Sequence, residues 1–139
     1  MSEGNKKRIL LIDQQSYWRE ISTKALTERG FNVSTLDTYD YAPFWKGMEG
    51  DKPDLVVLGC ARIRPQEEQV ITNVLTDKRR LLVLCTSLSW RMMRHLFLQG
   101  VDDIVDKPYN PRQLVQIVSD AFENAPHNRR QGVERRGVS

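Results

Sequence analysis

The chain has 139 residues, 40% apolar and 28% charged, which fits one globular domain with enough length for a real core. Its net charge of +3 sits between residues 127 and 139, where four arginines meet one glutamate; the rest carries 17 basic and 17 acidic side chains, giving no sign of a nucleic-acid-binding body. No run approaches the ~18 apolar residues of a membrane span, Met1–Lys7 lacks a signal-peptide core, and two cysteines are too few for a disulfide scaffold, so a cytoplasmic protein with reduced thiols is expected.

The first predicted element is a strand, the apolar run Arg8–Ile12. Ser16–Arg29 follows with Trp18, Ile21, Ala25 and Leu26 at helical spacing, Ser16 as its candidate cap and Gly30 as its stop. Phe31–Leu36 alternates as a second strand, with Phe31 and Val33 on one side. A short aromatic helix is predicted over Asp40–Met48, with Asp40 as cap and Pro43 in its first turn. Asp54–Cys60, introduced by Pro53, is unbroken in its apolar character and too short for a helix, which predicts a strand buried on both faces.

After it, Ala61–Pro65 reads as a polar loop, and Pro65 opens a helix with Val70, Ile71, Val74 and Leu75 on one face. Leu81–Cys85 is the fourth strand. Ser89 caps a helix that runs to Gln99 and stops at Gly100. Ile104–Val105 and its flanks make the fifth strand. Asn110-Pro111 then begins a last helix whose buried stripe is Leu114, Val115, Val118, Ala121 and Phe122. This alternation, with right-handed crossovers, predicts a parallel sheet with helices on both faces. The expected organisation is a disordered start over residues 1–7, a folded domain over 8–125, and a basic tail over 126–139 that is flexible or links to an output domain outside the chain.

Sheets of this kind gather function outside the carboxyl ends of their strands. Those ends hold Asp13-Gln14, Gly59-Cys60, Thr86-Ser87 and Lys107-Pro108. The chain has no Gly-rich phosphate loop and no Gly-x-Ser-x-Gly elbow, and neither His95 nor His127 lies near a cysteine pair. No enzymatic activity, no metal and no cofactor are expected. Cys60 and Cys85 end neighbouring strands and are expected as packed, reduced thiols.

Over roughly Lys7 to Asn124 these pieces resemble the receiver domain of two-component response regulators. Asp13, Arg19, Leu26 and Gly30 fall at that family's spacing for its opening strand and helix. Pro53–Leu58 is similar to the run that leads to its phosphoaccepting aspartate, and Thr86-Ser87 to its hydroxyl residue and small neighbour. Gly100-Val101-Asp102-Asp103 followed by Lys107-Pro108-Tyr109 matches its lysine–proline signature. The resemblance implies an α/β, flavodoxin-like (CheY-like) doubly wound sheet of five parallel strands, order 2-1-3-4-5. It also implies a place in bacterial two-component phosphorelay signal transduction.

The family's chemistry needs a carboxylate at the end of strand three to attack a phosphoryl group, with Mg²⁺ held by that carboxylate and by acidic residues after strand one. At the acceptor position this chain has Gly59, and beside Asp13 the second acid is replaced by Gln14. Mg²⁺ requires hard oxygen ligands, so Mg²⁺ binding is expected to be weak or absent. Arg62 and Arg64 occupy the loop where the family has Met-Pro, and Ile104 replaces its aromatic switch residue. Asp54 cannot substitute as acceptor, because it begins its strand and lies about 15 Å from the carboxyl end at ~3.3 Å per residue.

A degenerate receiver, or pseudo-receiver, is therefore expected, acting as a phosphorylation-independent protein–protein interaction module. Its vestigial pocket would hold Asp13, Gln14, Gly59, Thr86 and Lys107, with Lys107 paired to Asp13. Two rivals stand beside it: a ligand sensor binding a small anion through Lys107 and Thr86, and a phosphoreceiver using a non-standard residue. The expected partner surface is Trp90, Met93, Phe97 and Tyr109, on the face of the Ser89–Gln99 helix, the fifth strand and the last helix. It would take a protein partner or a second copy in a homodimer; no membrane is expected, and no nucleic acid for the domain itself.

Overall fold

A computed structural model of the chain describes residues 6–39 and 52–123. The helix predicted over Asp40–Met48, most of the N-terminal segment and the basic tail lie outside the described residues. The elements in chain order are β1 (Arg8–Asp13), α1 (Ser16–Arg29), β2 (Asn32–Leu36), β3 (Leu55–Cys60), α2 (Pro65–Thr76), β4 (Arg80–Thr86), α3 (Trp90–Gln99), β5 (Asp103–Lys107) and α4 (Pro111–Glu123). Each falls within a residue or two of its predicted span.

The strands pair in parallel in the order β2-β1-β3-β4-β5, as expected for a flavodoxin-like sheet. Strand side chains alternate between faces, and the core divides accordingly. Leu10, Ile12, Val56, Leu58, Leu81 and Val83 pack with Val70, Ile71 and Val74 of α2 and Leu96 of α3. Ile9, Leu11, Leu55, Val57, Leu82 and Leu84 pack with Leu26 of α1 and with Leu114, Val115 and Val118 of α4. The central strand β3 is buried along its whole length, which is why its sequence is apolar without alternation.

The helix ends follow the sequence with one exception. Ser89 Oγ accepts the Met92 N–H at 3.1 Å to begin α3, and Asn110 Oδ1 accepts the Arg112 N–H at 2.9 Å to begin α4. Gly30, at φ 109°, closes α1 by donating its N–H to the carbonyls of Leu26 and Thr27; only glycine takes that left-handed conformation freely. The exception is the start of α1. Ser16 is its first helical residue, and the cap position belongs to Gln15, whose side chain makes no capping bond. That side chain is used elsewhere. Among the described residues, no helix is long and apolar enough to cross a membrane.

Candidate functional site

Parallel register fixes the geometry at the carboxyl edge of the sheet. Asp13 lies opposite Gly59, Cys60 opposite Cys85, and Thr86 opposite Lys107. Asp13 and Lys107 come from strands that do not touch each other, yet both side chains turn into the space above Gly59. Asp13 is fully buried and Lys107 is only 5% exposed.

The Lys107 ammonium donates to Asp13 Oδ2 at 2.9 Å and to Gln15 Oε1 at 2.6 Å. Asp13 Oδ1 accepts the backbone N–H of Gln15 at 2.9 Å, and Arg19 Nη1 donates to the Asp13 carbonyl at 2.8 Å. Both oxygens of the carboxylate are thus engaged, and the buried ammonium has two acceptors. A buried ion pair is tolerable only when hydrogen bonds complete it in this way.

Gly59 makes room for this arrangement. A Cβ at position 59 would lie 2.1 Å from Asp13 Oδ2 and 2.6 Å from its Cγ. The Asp13 carboxylate therefore rests where a side chain of residue 59 would begin. From the other side, the Tyr39 hydroxyl donates to the Gly59 carbonyl at 2.8 Å, and burial pushes its phenol above the ordinary tyrosine range.

Aromatic side chains close the pocket toward α1. The Trp18 ring packs on Tyr109 with centroids 4.6 Å apart, and the Lys107 ammonium sits 5.9 Å from the Trp18 ring, within reach of a cation–π attraction. The hydroxyls of Tyr109 and Ser22 are 2.5 Å apart; burial pushes the Tyr109 phenol up to about 12 despite that hydrogen bond. The Lys107–Pro108 peptide bond is cis. Below the pocket, Cys60 and Cys85 are buried free thiols. Cys85 Sγ donates to the Thr86 carbonyl at 3.7 Å, and the proximity of the two thiols raises Cys60, with burial adding to the rise, and lowers Cys85.

The structure thus brings Asp13, Gly59 and Lys107 together and leaves two of the other expected pocket residues outside. Gln14 and Thr86 are exposed at the rim. Gln15 takes part instead, which sequence spacing alone gives no way to foresee. Of the expected partner surface, Trp90 is 66% exposed, while Met93 and Phe97 are half-buried against the sheet. Tyr109 is buried on the opposite side, among the residues packed with α1 and α4. Leu98, 75% exposed, stands with Trp90 on α3.

At the base of α2, Glu67 is fully buried. It accepts the Arg64 N–H at 2.9 Å and the Arg64 guanidinium at 2.7 Å. Burial pushes its carboxyl up, but the hydrogen bonds from Arg64 outweigh that and hold it below the usual range. Among the described residues, no group of three or more His, Cys, Asp or Glu side chains could hold a metal ion.

No protein-family model matches the sequence, and no curated protein matches it. Solved structures do match the fold. A response regulator from Thermotoga maritima superposes with a TM-score of 0.72 at 19% identity, covering 86% of this chain and 99% of that one. A CheY-like response regulator receiver domain from Methanospirillum hungatei gives 0.71 at 16% identity, covering 92% and 99%. An orphan response regulator of H. pylori gives 0.69 at 22% identity, covering 82% and 94%. The chain therefore has the fold of the CheY-like receiver domains.

Proposed function

We propose that the chain is a receiver-like module of two-component signalling that works without phosphorylation, by protein–protein interaction. One observation carries the reading: the Asp13 carboxylate lies over Gly59, where a phosphoaccepting side chain would start, and is held there by Lys107. No carboxylate stands at the end of β3, because Gly59 and Cys60 complete it.

The residues at this edge do not suit the Mg²⁺ that receiver chemistry uses. Mg²⁺ requires several oxygen donors in near-octahedral geometry. The pocket offers one buried carboxylate, with one oxygen on the Lys107 ammonium and the other on the Gln15 N–H. No step is therefore routed through a metal. The Lys107 ammonium already has its acceptors, which also counts against a small anion as its partner. The pocket's role is then structural: it holds the carboxyl ends of β1, β3 and β5 in one arrangement, while recognition falls to the outer surface.

Incubation with acetyl phosphate and Mg²⁺, followed by intact mass measurement, tests this directly. The expected mass is unchanged, and a gain of one phosphoryl mass would sink the proposal.

A further inference from the structure

The outward side of α3 is made by Trp90, Arg91, Arg94, His95 and Leu98, all exposed. Trp90, Arg94 and Leu98 recur every four residues and form one stripe, with Arg91 and His95 in the row beside it. Trp90 and Leu98 are 66% and 75% exposed. The Arg94 guanidinium lies 5.8 Å from the Trp90 ring. The helix carries no carboxylate. Its other apolar residues, Met92, Met93, Leu96 and Phe97, already pack on the sheet.

We propose that this face docks an acidic peptide segment of a partner protein, one that carries two apolar anchors. The inference rests on the interaction-module reading and specifies the chemistry of the partner. Trp90 and Leu98 are eight residues apart, about 12 Å along the helix at ~1.5 Å per residue. Between and beside them stand two arginines and a histidine. Two apolar contacts bracketing a cationic strip complement a segment with apolar side chains two helical turns apart and carboxylates between them. Tryptophan and arginine are also the residue types that most often dominate binding energy.

Other occupants fit less well. A second copy docked helix to helix by a twofold would gather both copies of Arg91 and Arg94 into one interface with no carboxylate on either helix, and such like charges disfavour it. The chain's own tail carries four arginines and is repelled in the same way. A lipid surface needs a continuous apolar stripe, and that side of α3 is already spent on the sheet. Nucleic acid needs a longer row of cations than this helix provides.

The test uses the full chain, isotope-labelled for amide NMR. The probe is a synthetic peptide of Glu and Asp with Phe and Leu two helical turns apart. Controls are the same peptide with each carboxylate changed to its amide, and phosphatidylglycerol vesicles. Expected is saturable binding, with shifts centred on residues 89–99. The amide peptide should bind about tenfold more weakly or worse, and so should the acidic peptide to Arg94→Glu or Trp90→Ala. Both side chains are exposed, so the variants keep the fold, which their amide spectra report. Absence of saturation, equal binding by Arg94→Glu, shifts centred elsewhere, or binding to vesicles but not peptide overturns the proposal. Phosphoryl uptake is read by intact mass and peptide binding by the titration of these shifts, so the two failures are distinguishable.

Discussion

Replacing Gly59 by alanine adds one methyl group at the most crowded point of the pocket. Gly59 is not among the glycines with positive φ, so the backbone raises no objection and the conflict is one of volume. The new carbon would meet Asp13 Oδ2 at 2.1 Å and Cγ at 2.6 Å. Asp13 must rotate away from Lys107, or β1 and β3 must separate. Overpacking of this kind costs about 1–3 kcal/mol, and loss of one partner of a buried ion pair costs about 3–5 kcal/mol. Because Gln15 still accepts from the ammonium, we expect a total near the overlap of those ranges, about 3 kcal/mol. At a urea m-value of about 1–3 kcal/mol/M, the unfolding midpoint falls by about 1–3 M. The decisive measurement is a double-mutant cycle. In an Asp13→Ala background the two worst conflicts are gone and the remaining Cβ, 3.1 Å away, has only to give by a few tenths of an ångström, so Gly59→Ala should cost about 1 kcal/mol, a coupling of about 2 kcal/mol. If the two substitutions instead add to within about 0.5 kcal/mol, the carboxylate does not occupy that space.

Two further outcomes follow from the same geometry. Lys107→Met strands the buried Asp13 carboxylate and should cost about 3–5 kcal/mol; the pair Asp13→Asn with Lys107→Met should recover most of that, because no buried charge remains. Urea unfolding of the three chains checks it, and equal losses in the single and double variants would contradict the ion pair. The second outcome concerns alkaline pH. Burial holds the Tyr109 phenol at about 12, against an ordinary value of ~10. The folded chain therefore keeps a proton that the unfolded chain has released. Its contribution to stability is full below about pH 10 and is lost as pH rises through about 12. Urea midpoints at about pH 9 and about pH 11 should differ more in the wild type than in Tyr109→Phe; identical differences would show that Tyr109 plays no part.

The frame was legible in the residues because each element announces itself locally. β3 reads as a buried strand from Leu55–Leu58, Ser89 and Asn110 cap the helices that follow them, and Gly30 and Gly100 stop theirs. Register then follows from five parallel strands in one order, and it brings Asp13 beside Gly59 and Lys107 across from both. What could not be read is whatever depends on where a side chain turns after the backbone is placed. Gln15 looks like a polar residue before a helix, and Ser16 looks like the cap. In the fold, Gln15 takes the cap position and sends its amide oxygen to Lys107. The receiver resemblance puts Tyr109 on an outer face with the helix before β5. It turns instead toward Ser22 and Trp18, and nothing in the spacing of Lys107-Pro108-Tyr109 reveals the side of the sheet it joins.

The placement of the Asp13 carboxylate bears on how such a chain can change over generations. Glycine and aspartate codons can differ by a single base, so mutation can readily place an acid at position 59. The folded chain resists it, because the volume is filled and the filling group is tied to a lysine three strands away in the sheet. Altering Asp13 first leaves that lysine without its counter-ion, and altering Lys107 first leaves the aspartate without its own. Every one-step path to an acid at position 59 passes through a weakened protein. The three positions form a ratchet, and a glycine at position 59 is easier to keep than to replace by an acid.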